Sequence, residues 1–497
     1  MPPSATASPA RQRASPARQR RTTTEPTVDL AAWQQKATAA STAAAASSPG
    51  SYLQTLILLA VFLDMTGVAL VVPNLVFRWK EVGISPAGLG MVGSIYSASQ
   101  LVGGLVLGKL GDRGLGRKRT LLLSFAGAGI SYALVGLAES IWVLVVSRVL
   151  VGLVKQTMTI SMALTINLSS ESTRASSLGR LSSASTLAFL SGQAAGGALS
   201  SRFGRRAPCF VASALFAVNF TLILLLLPSD APSTSSAPSA TPTASVSGDA
   251  AAGGDAPSKA SAPSGRKGEA APPAVAQAVT SRWGKLRAGF VTFAANFTSA
   301  FRSPMARDAL LFRLSYGFLM RATYSLHSLY EQQRFELTPE TAGFLSTYRT
   351  ALGLSVDSVL IGVLSRYLCE GDLLLVALSI SAANAALEGG HSSFNTYAFV
   401  NMPLSSMTGP LTRGALSSLF SKAVNTADAG AALSVLDVCN SAVGVLAPMY
   451  GGFLLSSLGV GYQPHLSCAH YVLLVVLARM TIAARKRNDS EPKAKHE

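Results

Sequence analysis

The sequence predicts an all-α, polytopic membrane protein of twelve transmembrane helices in two bundles of six. Three observations carry that expectation. Of 497 residues, 49% are apolar and only 13% charged, whereas soluble chains carry about 25% charge. The mean hydropathy is +0.37, although two polar tails and a polar linker dilute it. Apolar stretches of roughly 20 residues, the length that crosses a hydrocarbon core, recur along the chain, and one long polar interruption divides them into six and six.

The first set lies at 53–75, 88–108, 120–138, 141–166, 180–200 and 208–228. The second lies at 306–330, 341–364, 372–389, 394–420, 429–456 and 466–484, with the ninth stretch the shortest. The expected organisation is a disordered basic tail (1–50), a first bundle (51–228), a linker (229–305), a second bundle (306–485) and a basic tail (486–497). Residues 229–280 are mostly Ala, Ser, Pro, Gly and Thr and bury too little surface to offset ordering entropy. The N-terminal tail carries ASPARQR twice, at 7–13 and 14–20; its Arg- and Ser-rich character fits an organelle presequence or a merely solvated tail. Within 281–303, Trp283, Leu286, Phe290, Phe293, Phe297 and Phe301 recur at three- and four-residue steps, opposite Lys285, Thr292, Asn296 and Ser299. That pattern predicts an amphipathic helix lying on a membrane surface, with packing on the protein's own face as the alternative.

Charge and cysteine usage exclude other classes. The net charge of +17 could serve nucleic acid, but no zinc pattern, RNP-type stretch or compact basic domain accompanies it. Cys209, Cys369, Cys439 and Cys468 are isolated, so neither a metal site nor a disulfide scaffold is expected. The first fifty residues hold no apolar core, so no ordinary cleavable signal peptide is expected. No GxxxxGK[ST] loop occurs, so ATP is not the expected energy source. An even number of crossings places both termini on one side. Arg113, Arg117, Lys118, Arg119, Arg174, Arg180, Arg485, Lys486 and Arg487 fall there, which makes that side cytoplasmic by the positive-inside rule; Arg202, Arg205 and Arg206 run against it.

The halves repeat. Gly192-Gln193-Ala194-Ala195-Gly196-Gly197 in the fifth stretch mirrors Ala447-Pro448-Met449-Tyr450-Gly451-Gly452 in the eleventh. Matched small-residue clusters indicate two repeats related by an axis along the membrane normal, with glycines allowing close helix approach and Pro448 weakening the local hydrogen-bond ladder.

After the second stretch comes Gly108-Lys109-Leu110-Gly111-Asp112-Arg113-Gly114-Leu115-Gly116-Arg117-Lys118-Arg119. It resembles the GxLxDRxGRK signature of the major facilitator superfamily, with one extra residue between Asp112-Arg113 and Gly116-Arg117-Lys118. Arg148 and Gly152 resemble that family's RxxxG motif. Gly192 to Gly197 resembles the GPxxGG motif of its drug:proton antiporters, with Gln193 in place of the proline. Phe62-Leu63-Asp64-Met65-Thr66-Gly67-Val68 with Val72-Pro73, and the string from Arg148 to Ser161, are most similar to the superfamily's domain-containing protein 9 branch, itself tetracycline-exporter-like. The resemblance covers about 51–228 and 306–460. It implies two bundles alternating access to a central cavity lined by helices one, four, seven and ten.

Charges inside membrane spans are costly and face a cavity or each other. At a rise of 1.5 Å per residue, Asp64 and Lys155 share a level roughly 16 Å deep, so a transport role or a static ion pair is expected. Arg148, Gly152, Lys155 and Thr159 form one stripe on a continuous helix, and Gln100 joins the expected pathway. In the second half Asp357, Arg413 and Asp437 fall about 10–12 Å from one membrane face, with Arg321 and Arg349 as permanent cations suited to clamp an anion or act as counter-ions. His327 reads as a polar rim residue, with a histidine that titrates near neutrality as the alternative. Asp112 beside its basic loop reads as a gate. The expected activity is secondary transport of a small organic solute, with a proton gradient as driving force and no cofactor. An organelle-membrane uniporter or symporter, or a non-transporting sensor or scaffold, is the alternative. Lipid and a small-molecule substrate are the expected partners, nucleic acid is not, and the chain reads as a monomer in the plasma membrane or an organelle membrane.

Overall fold

The computed structural model describes residues 49–110, 116–228, 304–364, 367–423 and 429–490. All regular secondary structure among them is helical. The first half comprises α1 (Pro49–Glu81), α2 (Pro86–Leu110), α3 (Gly116–Leu137), α4 (Ile141–Val154), α5 (Thr157–Leu168), α6 (Arg174–Phe203) and α7 (Ala207–Leu226). The second comprises α8 (Pro304–Phe335), α9 (Pro339–Ser355), α10 (Ile361–Leu364), α11 (Glu370–Gly390), α12 (Phe394–Thr396), α13 (Met402–Ala423), α14 (Ala429–Leu458) and α15 (Gln463–Ser490). Each apolar stretch of the sequence falls on one of these helices or on a consecutive pair. The described residues from Leu53 onward form a single packing unit; of residues 1–52 only the opening of α1 is described. The amphipathic stretch 281–303 lies outside the described residues. The last helix runs through Arg485, Lys486 and Arg487 to Ser490.

Among the described residues, eight helices are long and apolar enough to cross a membrane, the short ninth stretch included. The helices at 174–203, 304–335, 339–364 and 394–423 fall outside that set. The reason is visible in α8, whose Arg313, Arg321, His327 and Glu331 lower its hydropathy while serving contacts inside the protein.

Two apolar cores organise the halves. Ile57, Val61, Phe125, Val135, Leu144, Leu181, Phe216 and Ile223 build the first. Phe312, Leu373, Leu378, Leu411 and Leu474 build the second. The halves meet where α2 packs on α14 and α6 packs on α9, an arrangement that repeats by exchanging the halves. Val76 and Leu89 join Leu326, Tyr330 and Leu455 in a further cluster between them.

The matched glycines explain this geometry. Side chains would block contacts with backbone: Gly196 faces the Leu70 carbonyl of α1, and Gly451 faces the Ala322 carbonyl of α8. Their neighbours face the other half. A Cβ on Gly197 would stand 2.6 Å from the Pro339 carbonyl oxygen, and one on Gly452 2.8 Å from that of Pro86. Gly192 lies on Ala69, and Pro448 packs on Gly90 and Gly93 of α2. Each Gly-Gly pair therefore uses one residue to close its own half and the next to join the two halves.

The fourth crossing departs from the expected continuous helix. It breaks at Lys155-Gln156, where Lys155 adopts φ −76°, ψ 90°. Ser124 Oγ accepts the Gln156 N–H at 3.1 Å and pairs with Thr157 Oγ1 at 3.0 Å. A broken helix is tolerated at membrane depth where protein groups take up the freed backbone donors. The stripe Arg148, Gly152, Lys155, Thr159 is thus divided between α4, the break and α5.

Two π-helical turns mark the second half, Val356–Leu360 between α9 and α10 and Tyr397–Asn401 between α12 and α13. Such turns are frequent at functional sites, and here they carry Asp357 and Tyr397.

Candidate functional site

The break in the fourth crossing points Lys155 at α1. Its Nζ donates to Asp64 Oδ1 at 2.7 Å, with side-chain exposures of 7% and 0%. The shared depth expected from the helical rise is realised as a direct ion pair. Lys155 Nζ also lies 5.1 Å from the centroid of the Phe216 ring, which stacks on Tyr132 at 5.4 Å. Asp64 Oδ2 is buried without a hydrogen-bond partner. An acid held by a lysine on one oxygen, with the Thr157 hydroxyl nearby and no close partner on the second oxygen, can accept a proton there.

Arg148 is buried two turns away on α4, 5.7 Å from the Tyr132 ring, with Nη2 unpartnered. Tyr132 stands within electrostatic range of both Arg148 and Asp64. Gly152 lets α4 approach α2 at Tyr96, Ser99 and the Gln100 backbone, so Gln100 borders the same helix contact.

In the second half the expected layer resolves into separate pairs. Asp357 faces the charge of Arg413. Asp437 faces Arg313, a residue that depth along the helix did not single out. Arg321 Nη1 donates to the Asn440 carbonyl of α14 at 2.6 Å, tying α8 to α14. Arg349 does not stand alone: it pairs with Glu331, and its Nη2 reaches Tyr397 Oη at 3.2 Å. Tyr397 also donates to Glu331. His327 is not the rim residue expected from the sequence: it bonds Tyr397 Oη at 3.0 Å and lies 3.3 Å from Glu331. The spacing of His327 and Glu331 by four, one helical turn apart, is the available signal; nothing in the sequence joins them to Arg349 or Tyr397. Breaking a buried ion pair by removing one partner costs about 3–5 kcal/mol, whereas replacing both with apolar groups is often neutral. Glu331→Ala should therefore destabilise the protein by about that amount in thermal or denaturant unfolding, and Glu331→Leu with Arg349→Met should recover most of it. Equal losses in both variants would refute this account.

Asp112 and Arg113 of the signature loop lie outside the described residues, and Gly108 belongs to the last turns of α2. Gly116 opens α3 with φ +75°. Arg117 engages the carboxamide of Asn167 at the end of α5, and Lys118 Nζ donates to the Leu224 carbonyl of α7 at 2.8 Å. The basic side of the loop therefore clasps α5 and α7 of its own half.

Two of the arginines that run against the charge rule, Arg205 and Arg206, have partners at the opposite end. Arg205 meets Glu81 at 2.9 Å and Arg206 meets Glu139 at 3.4 Å. Arg78 pairs with Glu81 and donates to the Ala138 carbonyl at 2.7 Å. These residues line a cavity of about 370 Å³. Local ion pairing accounts for Arg205 and Arg206.

A helical bundle built of two repeats, with paired charges buried inside it, defines a polytopic membrane protein of transporter architecture. The chain belongs to the Major Facilitator Superfamily, whose sequence model matches residues 57–448; this is a membrane transport family and not an enzyme family. The class B tetracycline resistance protein of Escherichia coli is 28% identical over 170 residues, 34% of this chain and 42% of the relative. Solute carrier family 67 member A1 of Homo sapiens is 23% identical over 414 residues, 82% of this chain and 87% of the relative. The match to the tetracycline resistance protein thus spans less than half of its length. The crystal structure of the human organic anion transporter MFSD10 shares the fold, with TM-score 0.53 at 19% identity over 88% of this chain and 99% of that one.

Proposed function

We propose that this protein is a secondary transporter that moves a small organic solute by alternating access, in exchange for protons, with Asp64 as proton site and Lys155 as its switchable partner. The observation that carries the reading is the buried Asp64–Lys155 pair at 2.7 Å, with one carboxylate oxygen unpartnered, at the break in the fourth crossing. Desolvation offsets much of the attraction within a buried pair, so a static pair is a poor stabiliser and a poor reason to keep two charges at mid-membrane. In the paired state the acid is ionised and the lysine occupied. Protonation of Asp64 releases Lys155 and changes affinity for cargo, because a ligand shifts an equilibrium only through differential binding. Relatives named for tetracycline resistance and for organic anion transport support a small organic solute, and placement within the tetracycline-exporter-like, domain-containing protein 9 branch is part of the proposal. The glycine contacts at the Glu81 end support a state closed there.

Flux into proteoliposomes under an imposed pH gradient tests the reading. Uptake that follows the gradient supports antiport, uptake indifferent to it supports a uniporter, and no flux for any of a panel of organic solutes favours a scaffold. The proposed orientation places both termini on the cytoplasmic side of the plasma membrane or an organelle membrane. Asn296 and Asn488, each within N-x-[ST], should accordingly remain unglycosylated in cells; glycan on either one would overturn that orientation.

A further inference from the structure

The second half holds a buried acid that none of the ion pairs uses. Glu388 lies on α11 two residues before its end at Gly390, is 6% exposed, and its Oε1 has no hydrogen-bond partner. Its surroundings can be counted. From α8 it faces His327 and Glu331, and from α9 Arg349. Tyr330 on α8, Tyr397 on the π turn and Tyr471 on α15 lie within its electrostatic range, and Arg334 acts on Tyr330 in turn. His391 follows in the turn after α11, its Nε2 engaged by Asn401 Oδ1 at 2.8 Å. His465 of α15 packs on the neighbouring Gly389.

In this set Arg349 and Glu331 are bonded to each other, so their charges cancel. The tyrosines are neutral, and His391 engages Asn401 through Nε2 while its buried Nδ1 has no hydrogen-bond partner. An ionised Glu388 would leave one negative charge buried without a bonded counter-ion, at a cost of several kcal/mol. One proton on Glu388 removes it. A metal cation would instead meet the guanidinium of Arg349 inside the same cluster. The site also has a side. Glu388 is within one turn of the helix end, and Arg334 Nη2 reaches the His391 carbonyl at 3.4 Å just beyond it. That is the end at which Gly197 meets Pro339 and Gly452 meets Pro86.

We propose that Glu388 is a second proton-binding site, separate from Asp64, loaded from water at the Glu81 end and buried when that end closes. The step is a simple protonation: an O–H bond forms on the carboxylate with a proton from the aqueous phase, and no electrons are exchanged. His327, bonded to Tyr397 Oη, lies within electrostatic range of that carboxylate. The proposal stands apart from the Asp64 reading, and one experiment separates them.

Infrared difference spectra between low and high pH, recorded on the full-length protein in lipid, report buried protonated carboxyls directly. The wild type and Asp64→Asn should both show a band that Glu388→Gln removes. A set of bands unchanged by Glu388→Gln overturns the proposal, as does loss of every such band in Asp64→Asn alone. Loss of every band in Glu388→Gln alone supports the proposal and counts against Asp64. Should Glu388→Gln not yield monodisperse protein, Glu388→Asp retains the acid with a shorter reach and must displace the band; an unmoved band overturns the proposal equally.

Discussion

Asp64→Asn is expected to abolish proton-driven accumulation of cargo while leaving the protein folded and downhill exchange partly intact. The substitution keeps the shape and one acceptor for Lys155 Nζ, so the contact at 2.7 Å can persist, but the amide cannot bind and release a proton. For a one-to-one exchange, each unit of pH difference is worth about 1.4 kcal/mol, or a roughly tenfold cargo gradient. Wild-type proteoliposomes should approach that gradient, and Asp64→Asn should stay near unity. The decisive control is the exchange of partners, Asp64→Lys with Lys155→Asp. Full recovery of pH-driven flux would show that the two residues act only as a structural pair. Recovery of folding without flux would leave Asp64 with a role tied to its position. The break at Lys155-Gln156 favours the second outcome, because lysine at the break and aspartate within intact α1 occupy unlike backbone settings.

The second large effect concerns the two glycine pairs, which should behave differently although they are adjacent in sequence. Gly196→Val and Gly451→Val place a side chain against carbonyls of α1 and α8 in the same half. Backbone stands on both sides of each contact, and overpacking costs about 1–3 kcal/mol even where side chains can shift. Both variants should lose yield and melt at lower temperature. Gly197→Val and Gly452→Val instead press on the opposite half. Alternating access requires the halves to part there, so these variants should fold and shift the population toward the form open at the Glu81 end. A penalty of about 1–3 kcal/mol on the closed state is about a 5- to 150-fold change in that equilibrium. Labelling of an introduced Thr347→Cys by an impermeant maleimide would read it, since Thr347 of α9 reaches the Leu190 carbonyl of α6 at 3.1 Å across this seam. Equal instability in all four variants, with labelling unchanged, would refute the division of labour.

The proline of the drug:proton antiporter motif is absent from the same seam. Gln193 occupies its place, and Gln193 Oε1 accepts a hydrogen bond from Thr350 Oγ1 of the other half at 2.9 Å. The departure from the motif therefore coincides with a bond between the halves that a proline could not make.

Much of this architecture is legible in the amino-acid sequence alone. A hydrocarbon core imposes a length and a composition on whatever crosses it, so the crossings, the halves and the polar interruption can be read directly. Depth follows from the constant helical rise, which is why Asp64 and Lys155 can be matched across two helices. The repeated Gly-Gly clusters stand out as a pattern because backbone contact admits no side chain, whichever helix lies opposite. Rise along a helix, however, gives neither azimuth nor partner. It cannot tell that Gly197 faces α9 while Gly196 faces α1, nor that Asp437 looks to Arg313 while Asp357 looks to Arg413. It leaves Arg349 a lone cation and His327 a rim residue, because Glu331, Tyr397 and Glu388 come together only when α8, α9, α11 and the π turn pack. The break in the fourth crossing is equally hidden: its cause is Ser124 on α3, a hydroxyl that replaces a helical acceptor only once the two helices are in contact. Sequence determined which stretches are apolar and how far along them each charge falls; tertiary packing decided which charges meet, since pairing depends on the rotation of each helix about its axis.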